Sequence, residues 1–217
     1  MMDLQRKLET IQAKGQLRQL REVEAVDGKW ITMKGRQFLN FTSNDYLGLG
    51  QMAHAEGISE QGRKHFASSR LVSGNSALYT KIERLLSTHF HFEDALVTTS
   101  GYDANLAVMQ AFQGESVVVF SDAANHASII DGIRLSRLKK VVYPHNDVTA
   151  LEKEMLQYPE AVTKVVVTDS IFSTDGDFAN LDALVQLKAK VPNMWLVVDD
   201  AHAFGLHLHT IMQILIF

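Results

Sequence analysis

The 217-residue sequence predicts an α/β fold, a mostly parallel sheet with flanking helices, and three observations carry that expectation. Apolar runs without polar alternation, such as Val165-Val166-Val167 and Leu196-Val197-Val198, suit strands buried on both faces. Helical stretches, Tyr79 to His89 and Leu181 to Lys190 among them, alternate with the strand candidates, which is the signature of crossover connections. The residues directly after each apolar run are polar, and in open sheets of this kind ligands sit beyond the carboxyl ends of the strands.

Taken in order, residues 3 to 25 place Leu4, Leu8, Ile11, Leu17 and Leu20 among Lys, Arg, Glu and Gln at near-helical spacing, broken around Gly15. This is an amphipathic arm. From Lys29 to Phe41, short alternating segments around Gly35 predict a small hairpin, and Thr42-Ser43-Asn44-Asp45 then enters an irregular turn. Strands are expected at Ala95 to Thr99, Val117 to Ser121, Lys140 to Pro144, Val165 to Asp169 and Leu196 to Asp199. They are followed by Ser100-Gly101-Tyr102-Asp103-Ala104-Asn105 after the first, by Asp122 with Asn125-His126 after the second, by Asp169-Ser170 with Ser173 after the fourth, and by Asp199-Asp200-Ala201-His202 after the fifth. The chain is expected to divide into an arm and hairpin (residues 1–45), an α/β region (46–205) and an atypical apolar tail (206–217).

Composition narrows the function classes. A balance of 21 Lys and Arg against 25 Asp and Glu gives a formal charge of −4, so neither nucleic acid nor an anionic membrane is an expected partner. Without cysteine there is no disulfide framework or thiolate metal site. The N-terminus lacks the apolar core of a signal peptide, and no run of about 18 apolar residues occurs, so the cytoplasm is the expected compartment. The pairs His89-x-His91 and His207-x-His209 lack carboxylates at a familiar ligand spacing apart from Glu93 and Asp94, and no metal is expected.

Several residues at the strand ends carry chemistry. Thr99-Ser100-Gly101-Tyr102 joins a strand to a helix, where backbone N–H groups and the helix dipole hold a phosphate in some proteins and nothing in many others. Asp199 at a strand tip either caps the following turn or meets a cation, of which a protonated heteroaromatic nitrogen is one. His126 and His202, placed after different strands, could stack on or hydrogen-bond a flat cofactor, or be ordinary satisfied histidines. No Gly-x-Gly-x-x-Gly, P-loop or Gly-x-Ser-x-Gly pattern is present, which removes support for dinucleotide, nucleotide and acyl-serine chemistry.

Five blocks in one order resemble the α-oxoamine synthases, pyridoxal-phosphate (PLP) enzymes of the aspartate aminotransferase fold type I. They are Thr42-Ser43-Asn44-Asp45-Tyr46-Leu47-Gly48-Leu49, Ser69-Arg70-Leu71-Val72-Ser73-Gly74-Asn75, Asn125-His126-Ala127-Ser128-Ile129-Ile130-Asp131-Gly132, Phe172-Ser173-Thr174-Asp175-Gly176-Asp177 and Asp199-Asp200-Ala201-His202. The resemblance implies an incomplete large domain of that fold, cofactor-binding over residues 46–205, with an N-terminal helical arm, and pyridoxal 5'-phosphate as cofactor. It implies Gly101 and Tyr102 near the cofactor phosphate, His126 on the ring face, Asp199 at the ring nitrogen, His202 at the ring hydroxyl and Ser173 as a further cofactor contact. His126, Asp199 and His202 are thereby the expected catalytic residues, and Arg18, with His126, is expected to bind substrate.

The blocks are most similar to the alanine-using branch, which condenses L-alanine with a pimeloyl thioester in biotin biosynthesis. Glycine-using relatives of the 2-amino-3-ketobutyrate ligase kind are the nearest alternative, and a non-catalytic partner subunit is another. The resemblance also implies a homodimer and a lysine, beyond Asp199, that holds the cofactor covalently. No lysine of the sequence stands in the matching Ser/Thr-x-x-Lys context, and the tail from His207 to Phe217 departs from the expected Gly-rich continuation. The chain is therefore expected to stop short of that lysine and to be inactive alone. Tyr79 stands where relatives often have histidine.

Overall fold

A computed structural model describes residues 4–15, 25–27, 29–41, 70, 77–206 and 215–216, and the chain forms two compact units, Met1–Lys64 and His65–Phe217. In the first unit the expected arm is a helix, α1 (Leu4–Ala13), stopped where Gly15 takes a left-handed φ of 65° and donates to the Gln12 carbonyl. The expected hairpin is also present. Strands β1 (Ala25–Asp27), β2 (Trp30–Met33) and β3 (Arg36–Leu39) form an antiparallel sheet in that order. Met33 faces Arg36 across a two-residue turn in which Lys34 and Gly35 both have positive φ, the geometry that matches strand twist in tight hairpins. Arg18 lies outside the described residues.

The second unit is built on a parallel sheet of β4 (Val117–Asp122), β5 (Lys139–Tyr143), β6 (Thr163–Asp169), β7 (Met194–Asp199) and β8 (Leu215–Ile216), ordered β5-β4-β6-β7-β8. Four of the five predicted strands appear here within two residues of their expected ends. The helices of this unit are α2 (Ala77–Phe90), α3 (Gly101–Ala111), α4 (Ala127–Ser136), α5 (Val148–Met155) and α6 (Leu181–Lys190). Alternate strand residues serve two cores. Val119, Val165, Val167 and Val197 pack with Met109 of α3 and with Ile129 and Ile133 of α4, all buried. Val118, Phe120, Val166, Leu196 and Val198 pack on the other face with Leu151 and Met155 of α5 and with Leu184 and Leu187 of α6. The uninterrupted valine runs follow from this double burial.

The predicted strand at Ala95 to Thr99 is not one. Residues 95–99 carry no ladder; the Val97 N–H donates to Glu83 Oε1 at 2.9 Å, and the Val97 carbonyl accepts from Arg70 Nη1 at 2.6 Å. Side chains satisfy this backbone where a neighbouring strand otherwise would. Arg70 is itself fixed by an ion pair to Glu83 at 2.7 Å and by the face of Tyr79, 4.0 Å from its guanidinium carbon.

The order β5-β4-β6 places a topological switch between β4 and β6. The chain leaves β4 toward β5, then crosses back to continue on the other side of β4 with β6 and β7. Asn125 staples the divergent strand ends at this point, donating to Ser121 Oγ (2.9 Å) and to the Val167 carbonyl (2.8 Å) and accepting from the Asp169 N–H (3.2 Å).

Candidate active site

The carboxyl ends of β4, β6 and β7 bring together a set of buried polar groups. Asp169 and Asp199 are register partners at the ends of adjacent parallel strands. Both follow the valines of the α3/α4 face by the strand alternation, so their side chains share that side of the sheet. Asp199 is 8% exposed and accepts from the Ala201 N–H at 3.1 Å, which is the turn-capping bond that sequence reasoning allows for it. Its other oxygen, Oδ2, accepts from Asn105 Nδ2 at 2.8 Å.

That second bond opens a chain of side chains. Asn105, on α3 and 1% exposed, also donates to Ser128 Oγ at 2.9 Å, and Ser128 Oγ lies 2.7 Å from His126 Nδ1. The Ser128 N–H donates to the same His126 nitrogen at 3.3 Å, so Nδ1 is an acceptor and the ring carries its proton on Nε2. His126 and Asp199, singled out separately in the sequence, are thus joined through Asn105 and Ser128. The His126 N–H donates to Asp169 Oδ2 at 2.9 Å, which closes the set.

The electrostatics are lopsided. Burial pushes the Asp169 carboxyl up to about 7, against the opposing His126 N–H bond and with help from the charges of Asp199 and Asp122. Among the described residues no lysine or arginine pairs with Asp122, Asp169 or Asp199. With one donor on each oxygen among the described residues, Asp199 retains lone pairs for a further N–H. Asn105 Oδ1 and Ser170 Oγ are buried and have no hydrogen-bond partner among the described residues. A site with a buried acid at the strand tips and spare acceptors is chemically suited to a protonated nitrogen.

The remaining predicted residues stand around this set. Gly101 and Tyr102 begin α3, whose N-cap Ser100 accepts from the Asp103 N–H at 3.1 Å. The first N–H groups of a helix have no place in its own ladder, and a Cβ on Gly101 would meet nothing within 4 Å, so that turn is open to approach. The Tyr102 hydroxyl donates to Asp131 Oδ2 at 2.5 Å, which raises the phenol and lowers the carboxylate; Tyr102 therefore offers its backbone to the turn. Ser173 is exposed in the loop after β6, and His202 is half-buried in the turn after β7. Asn105 and Asp169 stand among the polar residues after the strands and Ser128 lies in the His126 block, but sequence reasoning gave none of them a role. The signal available for Asp169 was its position, ending a buried strand as Asp199 does; for Asn105 it was a polar side chain on the helix face that also carries Met109.

Residues 36–212 match the family described as aminotransferase class I and II. The 8-amino-7-oxononanoate synthase of Burkholderia cenocepacia is 45% identical over 213 residues, covering 93% of this chain and 53% of that protein. The 8-amino-7-oxononanoate synthase of Geobacter sulfurreducens is 42% identical over 203 residues, covering 91% and 51%. The chain spans about half the length of the curated relatives it matches. A structure of serine palmitoyltransferase from S. paucimobilis with bound PLP-myriocin aldimine aligns with a TM-score of 0.70 and 24% identity over 91% of this chain and 52% of that one, a likeness of fold.

Proposed function

The chain belongs to the aminotransferase class I and II family, and on that premise we propose that it supplies the cofactor cradle of a PLP-dependent acyltransferase that condenses L-alanine with a pimeloyl thioester to 8-amino-7-oxononanoate. The observation that carries this reading is the buried Asp199, held by Asn105 and with acceptor capacity left over. The similarity to 8-amino-7-oxononanoate synthases supports the choice of reaction.

When bound, PLP supplies an electron sink for the carbanion formed at the amino acid's α-carbon. Asp199 would accept the N–H of the ring nitrogen and hold the proton there, a charge-assisted bond of about 1.5–3 kcal/mol. Asn105 fixes the carboxylate's orientation from behind. His126, with its proton on Nε2, would stack on the ring, His202 would hydrogen-bond the ring hydroxyl and Ser173 would make a further contact to the cofactor. Gly101 and Tyr102 give their backbone N–H groups to the phosphate. Arg18 would help bind substrate.

None of the described lysines joins this set. The buried one, Lys164, donates to the carbonyls of Pro159 (2.9 Å) and Val162 (3.2 Å) at the opposite, amino-terminal end of β6. On this reading the lysine that anchors the cofactor is contributed from outside these residues, the 217-residue chain gives no turnover alone, and the working enzyme is a homodimer. The test is an assay of the whole protein with PLP, L-alanine and pimeloyl-CoA against glycine and acetyl-CoA. Alanine-dependent formation of 8-amino-7-oxononanoate is expected; preference for the glycine pair would overturn the assignment.

A further inference from the structure

On the other face of the sheet from Asp199, His145 stands between two carboxylates. Its Nδ1 lies 2.8 Å from Asp122 Oδ1 and its Nε2 lies 2.8 Å from Asp177 Oδ2. A neutral imidazole has one N–H, so two such contacts require the imidazolium, unless a carboxyl carries the proton. Asp122 is a poor candidate for that proton. It is buried at the end of β4, and its oxygens also accept the N–H groups of Ala124 and Asn146, at 2.8 and 2.9 Å. Asp177 likewise accepts from Asn146 Nδ2 at 3.0 Å.

We propose that His145 is a positioning residue, an imidazolium clamp that holds the turn before His126 and the loop bearing Ser173 in register and slackens as the ring loses its proton. The inference rests on the reading that His126 and Ser173 meet the cofactor. Through Asp122, the clamp fixes Ala124, two residues before His126. Through Asp177, it fixes the base of the loop, where the Phe172 N–H donates to the Asp177 carbonyl at 3.0 Å and Ile171 bridges Phe178. Phe172, 1% exposed, presses edge-on against the His145 ring at 4.4 Å and carries Ser173 as its neighbour.

The groups around the ring all favour its charged form or are neutral. Asp122 faces it from β4, Asp177 and Phe172 from the loop, and Asn146 from its own segment; Asp169 lies close enough to Asp122 for their charges to interact. Tyr143, on β5, is raised by burial and by the Asp122 charge and stays a neutral phenol. The hydrogen bond to Asp122 is the largest influence raising His145, opposed by burial and reinforced by Asp177. Loss of the proton leaves Asp122 buried without a cation and turns a ring lone pair toward a carboxylate.

The test uses the whole protein with ¹⁵N-labelled histidine. Both His145 ring nitrogens are expected to be protonated at pH 7, and Asp177→Asn is expected to lower the titration midpoint by about one pH unit. Affinity for pyridoxal phosphate, read by fluorescence from pH 6 to 9, is expected to fall several-fold through the His145 midpoint, and the His145→Gln profile to lack that inflection. A singly protonated His145 at pH 7, or an inflection at the His145 midpoint that survives when His145→Gln is combined with Asp169→Asn to remove the Asp169 titration, overturns the clamp. Absence of any pyridoxal phosphate binding, with proteolysis within residues 173–178 still rising through the His145 midpoint, supports the clamp and overturns only the cofactor reading.

Discussion

Asn105 and Asp199, separated by 94 positions in the chain, meet at 2.8 Å where helix α3 crosses the carboxyl edge of the sheet. The amide serves as a fixed dipole for a buried anion, and its second N–H carries the order onward to Ser128 and His126. Replacing Asn105 with Ala removes a donor from a carboxylate that water cannot easily reach. A loss of about 1–3 kcal/mol in urea unfolding of the whole protein is expected, with weaker pyridoxal phosphate binding. An unchanged urea midpoint would show that the bond contributes nothing net.

Gly132 lies on α4 where that helix touches α3. A Cβ added there would meet the Asn105 carbonyl oxygen at 2.9 Å and Met109 Cγ at 3.0 Å. Met109 is fully buried and its Cβ lies 3.2 Å from the added atom, so neither it nor the backbone oxygen gives way cheaply. Gly132→Ala is expected to destabilise by about 1–3 kcal/mol through overpacking and to shift Asn105 away from Asp199. Thermal melts check the first effect; restoration by no other α4 substitution is needed, since Gly132→Ser should be worse still.

Asp169 sets a pH dependence. Its folded-state carboxyl is raised to about 7 from the ordinary value near 3.8, so the native state binds more protons than the unfolded chain across that interval. The contribution is fully present below about pH 4 and is lost as pH rises through about 7. Asp169→Asn keeps an acceptor for the His126 N–H and removes the titration. Denaturant midpoints at pH 5 and pH 8 are expected to lie closer together in the variant, the change being on the order of 2–4 kcal/mol. His145, also raised, contributes a loss in the same direction, so the variant curve flattens without becoming level.

Asp199→Asn tests the proposed chemistry. The amide can still meet Asn105 or the Ala201 N–H after a flip, so the fold is expected to survive, but it no longer holds a ring nitrogen in its protonated form. A fall in kcat of about 10²- to 10³-fold is expected for the whole enzyme, with a smaller change in pyridoxal phosphate affinity. Weaker pyridoxal phosphate affinity with an unchanged kcat at saturating cofactor would mean that Asp199 acts only in binding.

The strands of the sheet were legible because burial on two faces leaves no room for polar residues, and Val165 to Val167 cannot be read as a helix surface. The stretch from Ala95 to Thr99 has similar composition, yet its backbone is satisfied by Arg70 and Glu83, and composition does not reveal which partner a peptide group will find. For the site, Asp199 and His126 were visible by position just past strand ends. Asn105 was visible only as one of several polar residues after Thr99, because an asparagine in a helix usually faces water, and the group that makes it matter comes much later in the chain. His145 was hidden for the same reason: its meaning lies in Asp122 and Asp177, each too far along the sequence to suggest a pair.

Strand β5 pairs with β4 on one side only, and among the described residues its outer rim has no ladder partner. Such a rim invites a stranger's backbone to add itself. Lys139 and Lys140 are exposed at its start, and Lys139 is held over the ring of Tyr158, 4.8 Å from its centre. Two copies approaching rim to rim bring ammonium groups together in a parallel alignment, so the strand that closes the sheet also discourages stacking into fibrils. Chemical acetylation of these lysines takes that guard away, leaving Val141 and Val142 as the sticky remainder of the edge.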